Sequence, residues 1–250
     1  MELWHKGCEW GVDASEMRIK VLGTRGEIAE SAPRHARHSG MLVDGRLLFD
    51  LGEREFLDTK PERVFITHLH TDHAFFVRER EPAPIGRTLY APEKRAGFPE
   101  VRVFPGKMSY RGYSIRAVPT HHSLKVRSTA YIVEKGGQRL LYTGDMFWIN
   151  KEYHPLIGRL DLAVTEASFI REGGMIRRDR TTGQAYGHAG VPNLIELFAK
   201  FTTTILFTHF GGWFYAGARE SRRTLAALGR KYGVRALAAY DGFELDLCGL

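Results

Sequence analysis

Thr67-His68-Leu69-His70-Thr71-Asp72-His73 places four potential metal ligands within six residues. The stretch follows Val64-Phe65-Ile66, a short apolar run of the kind that forms a buried strand. In an extended segment side chains two apart share a side, so His68 and His70 point the same way. Asp72 and His73 then turn toward a second, adjacent position. Polar rings and carboxylates crowded at a strand end need partners once they are buried. A metal supplies one, and the spacing suits two ions sharing a loop better than one ion in a closed cage. The isolated histidines His5, His35, His38 and His154 read as ordinary surface or core residues.

Outward from this stretch, one pattern recurs. Four apolar runs end in Thr and are followed within two residues by a ligand-type side chain. They are Val64–Thr67 before His68, Leu140–Thr143 before Asp145, Leu162–Thr165 before Glu166, and Ile205–Thr208 before His209. Sheets in α/β architectures build their sites at the carboxyl ends of strands, so these groups are expected to converge on one crevice. Pro119-Thr120-His121-His122-Ser123 ends a further strand between the first cluster and Asp145.

The remaining elements fit a mixed fold. Met17–Leu22 is a first strand, and 41–43 with 47–49 form a hairpin across Asp44-Gly45. Residues 53–58 read as a helical turn, and Ala74 to Arg80 as a helix that Pro82 ends. Short strands follow at 88–90, 101–104 and 113–118, then a hairpin of 129–134 with 139–143. Ile170 to Ala189 reads as a long loop rich in Gly and Arg, and Glu30 to His38 as a solvated polar loop, with a loop facing an anionic substrate as the alternative. Val191 to Phe201 is an amphipathic helix with Pro192 near its start. Ala218 to Tyr232 is a second helix, and Phe243 to Leu247 a last strand. The expected organisation is an N-terminal extension, residues 1–16, before a single α/β domain, 17–250, a four-layer αββα sandwich with two mixed sheets.

Composition bounds the function classes. The 250 residues are 43% apolar and 26% charged, ordinary for a globular protein. No apolar run approaches a membrane span, and the first residues lack the apolar region of a signal peptide. Cys8 and Cys248, at opposite ends, give neither a disulfide framework nor a thiolate zinc site. The expected compartment is the cytoplasm. A net charge of +7 favours anionic partners without choosing among them.

The ordered set His68, His70, Asp72, His73, His121 or His122, Asp145 and His209 resembles the metallo-β-lactamase superfamily. Its dinuclear members carry His-x-His-x-Asp-His, then a His, a bridging Asp and a last His. The resemblance spans residues 17 to about 247. It implies one metal on His68, His70 and His122, with His121 as the alternative third ligand. A second metal falls to Asp72, His73 and His209, and Asp145 bridges the two. His122 is preferred because His122-Ser123 followed by Ala130-Tyr131 looks like the nuclease branch. A His/Asp set without thiolate suits Zn²⁺ and accommodates Mn²⁺ or Fe²⁺. The implied chemistry is hydrolysis by a water that two cations acidify, with Asp72 beside that water.

His70 and His73 are unlike the oxygen-reducing diiron members and the antibiotic-degrading lactamases. Glu166-Ala167-Ser168-Phe169 and Gly187-His188-Ala189 are similar to segments of ribonuclease Z and its phosphodiesterase relatives. That similarity implies Glu166 and His188 as proton-transfer residues, against a purely structural role for both. Ribonuclease Z carries a long RNA-gripping arm between its third metal His and its bridging Asp. Only 22 residues separate His122 from Asp145 here, and 63 separate Asp145 from His209. The expectation is a compact metal-dependent phosphodiesterase acting on nucleic acid ends or a small nucleotide-like diester. The alternative is a carboxylic ester, lactone or thioester hydrolase using the same centre. Arg171, Arg177, Arg178 and Arg180 read either as a phosphate-facing loop or as a solvated basic face.

Overall fold

The computed structural model describes residues 16–79 and 84–250. Two seven-stranded sheets stack with a shared apolar core between them. The first runs, edge to edge, Glu244–Asp246, Arg18–Gly23, Gly40–Val43, Leu47–Phe49, Arg63–Phe65, Leu89–Ala91 and Val101–Val103. The second runs Arg235–Ala238, Thr204–Phe210, Leu162–Ala167, Gln138–Tyr142, Ser128–Lys135, Tyr113–Thr120 and Lys107–Tyr110. Each sheet mixes antiparallel meanders with a block of parallel strands.

The short apolar runs lack alternation because their strands are covered on both faces. Phe65 points into the core between the sheets, while Val64 and Ile66 pack on the outer side of the first sheet. Val164 and Leu206 likewise face inward, and Ala163, Ile205 and Phe207 outward against helices. Those helices are Val191–Phe198, with Pro192 in its first turn, and Ala218–Lys231. The fold is therefore α/β with two mixed sheets between outer layers. Over the first sheet that layer is made of short 3-10 segments, Arg54–Thr59 and Phe75–Arg78, which bury Phe56, Phe75 and Phe76.

Several expectations need correction. The helix expected from Ala74 to Arg80 is one 3-10 turn, because Ala74 is held extended by pairing with Leu51 and the Phe75 N–H donates to the Leu51 carbonyl. Arg80 and Pro82 lie outside the described residues, as does the expected extension apart from Glu16. The segment read as a loop from Ile170 to Ala189 contains a β-hairpin, Met175–Arg178 against Ala185–His188. Its first strand is largely exposed, so no apolar alternation marks it. Asp179 closes the turn by accepting from the backbone N–H groups of Thr181 and Thr182. The helices expected to reach Phe201 and Tyr232 stop at Phe198 and Lys231. In the segment Glu30 to His38, Arg34 and Arg37 are exposed but His35 and His38 are buried. No helix among the described residues is long and apolar enough to cross a membrane.

Candidate metal centre

The parallel strands of both sheets end at one edge of the sandwich, and the polar residues there meet. His68 follows Arg63–Phe65, Asp145 follows Gln138–Tyr142, and His122 follows Tyr113–Thr120. Glu166 and His209 stand near the ends of Leu162–Ala167 and Thr204–Phe210.

Three imidazoles form the first group. The Nε2 atoms of His68 and His122 each lie 3.1 Å from His70 Nδ1. Their other nitrogens are committed: His122 Nδ1 donates to the Gly187 carbonyl at 3.0 Å, and His68 Nδ1 donates to Thr67 Oγ1 at 3.1 Å. The Thr67 hydroxyl in turn donates to Asp50. Each Nε2 is thereby left with a lone pair aimed inward, the tautomer a metal ligand requires. Burial, reinforced by the neighbouring rings, holds His68 well below its ordinary pKa and His70 down at about 4.

The second group joins Asp72, His73, Asp145 and His209, each offering a donor atom within 4.8 Å of the others. His73 Nδ1 donates to Asp50 Oδ2 at 2.7 Å, which leaves Nε2 facing Asp145 Oδ1 at 3.2 Å. Both facing atoms are buried without a hydrogen-bond partner. His209 lies 2.8 Å from Asp72 through Nε2 and 3.2 Å from Asp145 Oδ1 through Nδ1. The other Asp145 oxygen stands 3.9 Å from His68 Nε2 and 3.8 Å from His122 Nε2. One carboxylate therefore spans the two groups. Burial opposes its charge, but His209 and His73 outweigh burial and hold Asp145 well below the usual carboxylate range. Burial likewise disfavours the His73 cation, and Asp145, Asp50 and Asp72 together raise its pKa well above the ordinary value.

Five neutral-capable imidazoles and two carboxylates, with orphaned donors facing one another, form a set that fits divalent metal ions. The backbone is shaped for it. His209 is the extra residue of a bulge opposite Glu166 and Ala167 and adopts a left-handed φ of 50°, which re-aims its ring. Gly144 has φ of 59°, and a Cβ there would sit 2.3 Å from Thr67 Oγ1, so only glycine lets the Asp145 strand end approach the histidine loop.

Asp50 escaped the sequence reading. It is fully buried and accepts from Thr67 N–H at 2.7 Å, Thr67 Oγ1 at 2.9 Å, His73 Nδ1 and Tyr142 OH at 3.0 Å. One side chain thus orients rings in both groups. Its signal was present: an Asp directly after the apolar strand Leu47–Phe49 repeats the arrangement of the other strand ends.

Beside the cluster, His188 Nδ1 lies 2.8 and 3.0 Å from the two oxygens of Glu166 and 3.9 Å from Asp145 Oδ2. Glu166 also accepts the Met146 N–H at 2.7 Å. Burial disfavours the His188 cation, but Glu166 overrides it and pushes the ring up to about 9. His122, Asp145 and His188 also present donor atoms within 4.8 Å of one another. The contact with both Glu166 oxygens commits Nδ1 as a hydrogen donor to that carboxylate. His121 is exposed and reaches Asn150 Oδ1 at 2.9 Å, away from the cluster. Of the four arginines, Arg178 alone lines the large cleft that opens from His122, a cavity of about 1020 Å³.

Residues 52–210 match the family described as "Beta-lactamase superfamily domain". No curated protein matches the chain by sequence. Among solved structures, the metallo-beta-lactamase fold protein YhfI from Bacillus subtilis is similar at 18% identity and a TM-score of 0.67, over 93% of this chain and 99% of that one. A diphosphatase of the PhnP family aligns at 18% identity and a TM-score of 0.65, over 92% and 97% of the two chains. The short form of human tRNase Z aligns at 19% identity and 0.58, over 91% and 98%. The two mixed sheets, the buried His/Asp cluster at their shared edge and the match over residues 52–210 lead to one assignment: the chain belongs to the metallo-β-lactamase superfamily of metal-dependent hydrolases.

Proposed function

We propose that the chain is a dinuclear phosphodiesterase acting on nucleic acid ends or on a small nucleotide-like diester. The observation that carries the reading is the Glu166–His188 pair, standing 3.9 Å from the carboxylate shared by two donor groups. In this reading His68, His70 and His122 hold one ion, Asp72, His73 and His209 hold a second, and Asp145 serves both. The donor set suits Zn²⁺. When bound, such ions make water more acidic and offset charge on the phosphoryl oxygens.

The protein's own contribution lies in the proton. A phosphodiester has a poor leaving group, and an alkoxide departing near neutral pH gains typically 10²–10⁴-fold from a general acid. His188, kept protonated by Glu166, gives its proton to the leaving oxygen as that bond to phosphorus breaks and the oxygen of water bonds to phosphorus. The attacking water releases a proton to solvent, the products are a phosphomonoester and an alcohol, and solvent returns a proton to His188. Asp50 keeps the His73 ring and the Thr67–His68 pair in place throughout. The fold relatives named as a diphosphatase and a tRNase are in keeping with phosphorus chemistry. The His122-to-Asp145 segment is occupied by the hairpin of Ser128–Lys135 and Gln138–Tyr142, which leaves no gripping arm and suits a small diester or a chain end.

The test is a substrate panel on metal-reconstituted protein. Bis-p-nitrophenyl phosphate or a 2′,3′-cyclic nucleotide should turn over in a metal-dependent way, and a lactone, a β-lactam and a glutathione thioester should not. Lactonase or thioesterase turnover without diesterase activity would reverse the assignment.

A further inference from the structure

The cleft that opens from His122 extends beyond the metal cluster. Its wall includes Phe147 and Trp148, which follow Asp145 and Met146, the loop 123–127, and the tip of the hairpin 175–188. Trp148, on the wall of this cleft, is 40% exposed. Leu124, on the same cleft, is 41% exposed. The platform is fixed: the His121 N–H donates to the Trp148 carbonyl at 2.9 Å and the Phe147 N–H to the His121 carbonyl at 2.8 Å. The hairpin is tied to the same place, since Gly187 N–H donates to the His122 carbonyl at 2.7 Å.

Around the aromatic wall stand Lys125, Arg127 and Arg178, from separate segments and all exposed. None of their side chains takes part in an ion pair among the described residues. The one carboxylate of the wall, Glu93, accepts from the Arg127 backbone N–H instead. An acyl chain would use the apolar surface and leave three cations idle. A planar ring carrying further negative charge uses both, by stacking on the indole and pairing with the cations.

We propose that this cleft is a nucleotide-binding subsite: Trp148 stacks a nucleobase, and Arg178 with Lys125 and Arg127 receives the phosphate on the far side of that nucleotide. The subsite rests on the phosphodiesterase reading, and narrows it to substrates in which a nucleotide bearing a second phosphate flanks the scissile bond.

Calorimetric titration of the metal-loaded protein with inorganic phosphate, 5′-AMP and adenosine 3′,5′-bisphosphate tests it without relying on turnover. Affinity should rise in that order. Base stacking predicts that Trp148→Ala costs roughly tenfold or more in AMP affinity and leaves phosphate unchanged. Arg178→Ala, at an exposed position that does not endanger folding, should remove the advantage of the bisphosphate over AMP while sparing AMP. Equal affinities for phosphate and AMP, or variants that bind all three ligands as the wild type does, overturn the subsite and leave any measured diesterase activity standing. Trp148-dependent AMP binding in a protein that cleaves no diester supports the subsite and overturns the phosphodiesterase reading instead.

Discussion

Among the described residues, two clusters of buried histidine differ in how their ring nitrogens are satisfied. At His35 everything is closed: Nδ1 donates to Thr24 Oγ1 at 2.9 Å, Thr24 passes its proton to Asp241, and Nε2 accepts from Arg222 at 2.8 Å. His38 is closed too, donating from Nδ1 to Glu53 at 2.6 Å and accepting from Arg25 at 3.0 Å. In the other cluster the outward nitrogens of His68, His73 and His122 are fixed by protein oxygens, while the inward nitrogens of His68 and His122 face His70 Nδ1 and that of His73 faces Asp145. Burial is the same in both, so burial does not mark a metal site. The mark is a set of inward acceptors that no protein donor satisfies.

The comparison breaks hardest at Asp145. Asp145→Ala removes the only carboxylate among the described residues that comes within 4 Å of rings in both donor groups, and kcat/KM should fall on the order of 10³-fold or more. His35→Gln, removing an equally buried ring, should leave kcat/KM within a few-fold when assayed at pH 7.5, roughly the scale of ordinary indirect effects. Similar losses from both variants in steady-state kinetics would erase the distinction.

A second test separates ligands from the proton donor. His188→Ala should lower kcat by roughly 10²–10⁴-fold on a diester with a poor leaving group, and far less on a p-nitrophenyl ester, while metal content stays at the wild-type level. Loss of an ion would make His188 a ligand. An unchanged kcat on the poor leaving group would place the acid elsewhere.

Asp50→Asn probes the oxygens behind the rings. It retains size but supplies a donor where His73 and Thr67 need an acceptor, so metal affinity should weaken by about 10–100-fold. Competition with a chromophoric chelator measures this, and wild-type affinity in the variant would show that the rings hold themselves.

How much of this was legible follows the same physics. The meeting of the strand-end side chains was written in the chain because strands covered on both faces read as unbroken apolar runs, and each run ends in a polar residue. The role of Asp50 was not, since it depends on a left-handed turn at φ of 59° and on contact with Thr67, 17 residues away. The hairpin Met175–Arg178 with Ala185–His188 was hidden because its first strand is largely exposed and carries no apolar period. The closed partners of His35 come from positions as distant as Arg222, which no local pattern reveals.

The smallest expected effect is on stability. Burial and the Arg222 guanidinium hold His35 down to about 4, against an ordinary 6.5. The unfolded chain therefore takes up the proton first. This contribution is intact above pH 6.5 and is lost as the pH falls toward 4. Urea unfolding at pH 7.5 and 5 should show wild type losing roughly 2 kcal/mol more than His35→Gln over that step. Equal losses would mean that the His35 ring titrates alike in both states.

The most direct measurement is the number of metal ions per chain after reconstitution and removal of excess. Two donor groups joined by Asp145 predict about two ions per wild-type chain, since the donor set exceeds what one tetrahedral ion takes up. His209→Ala should bring the count to about one, and His35→Gln should leave it at two. At most one ion in the wild type, with the count unchanged in His209→Ala, would contradict the dinuclear centre.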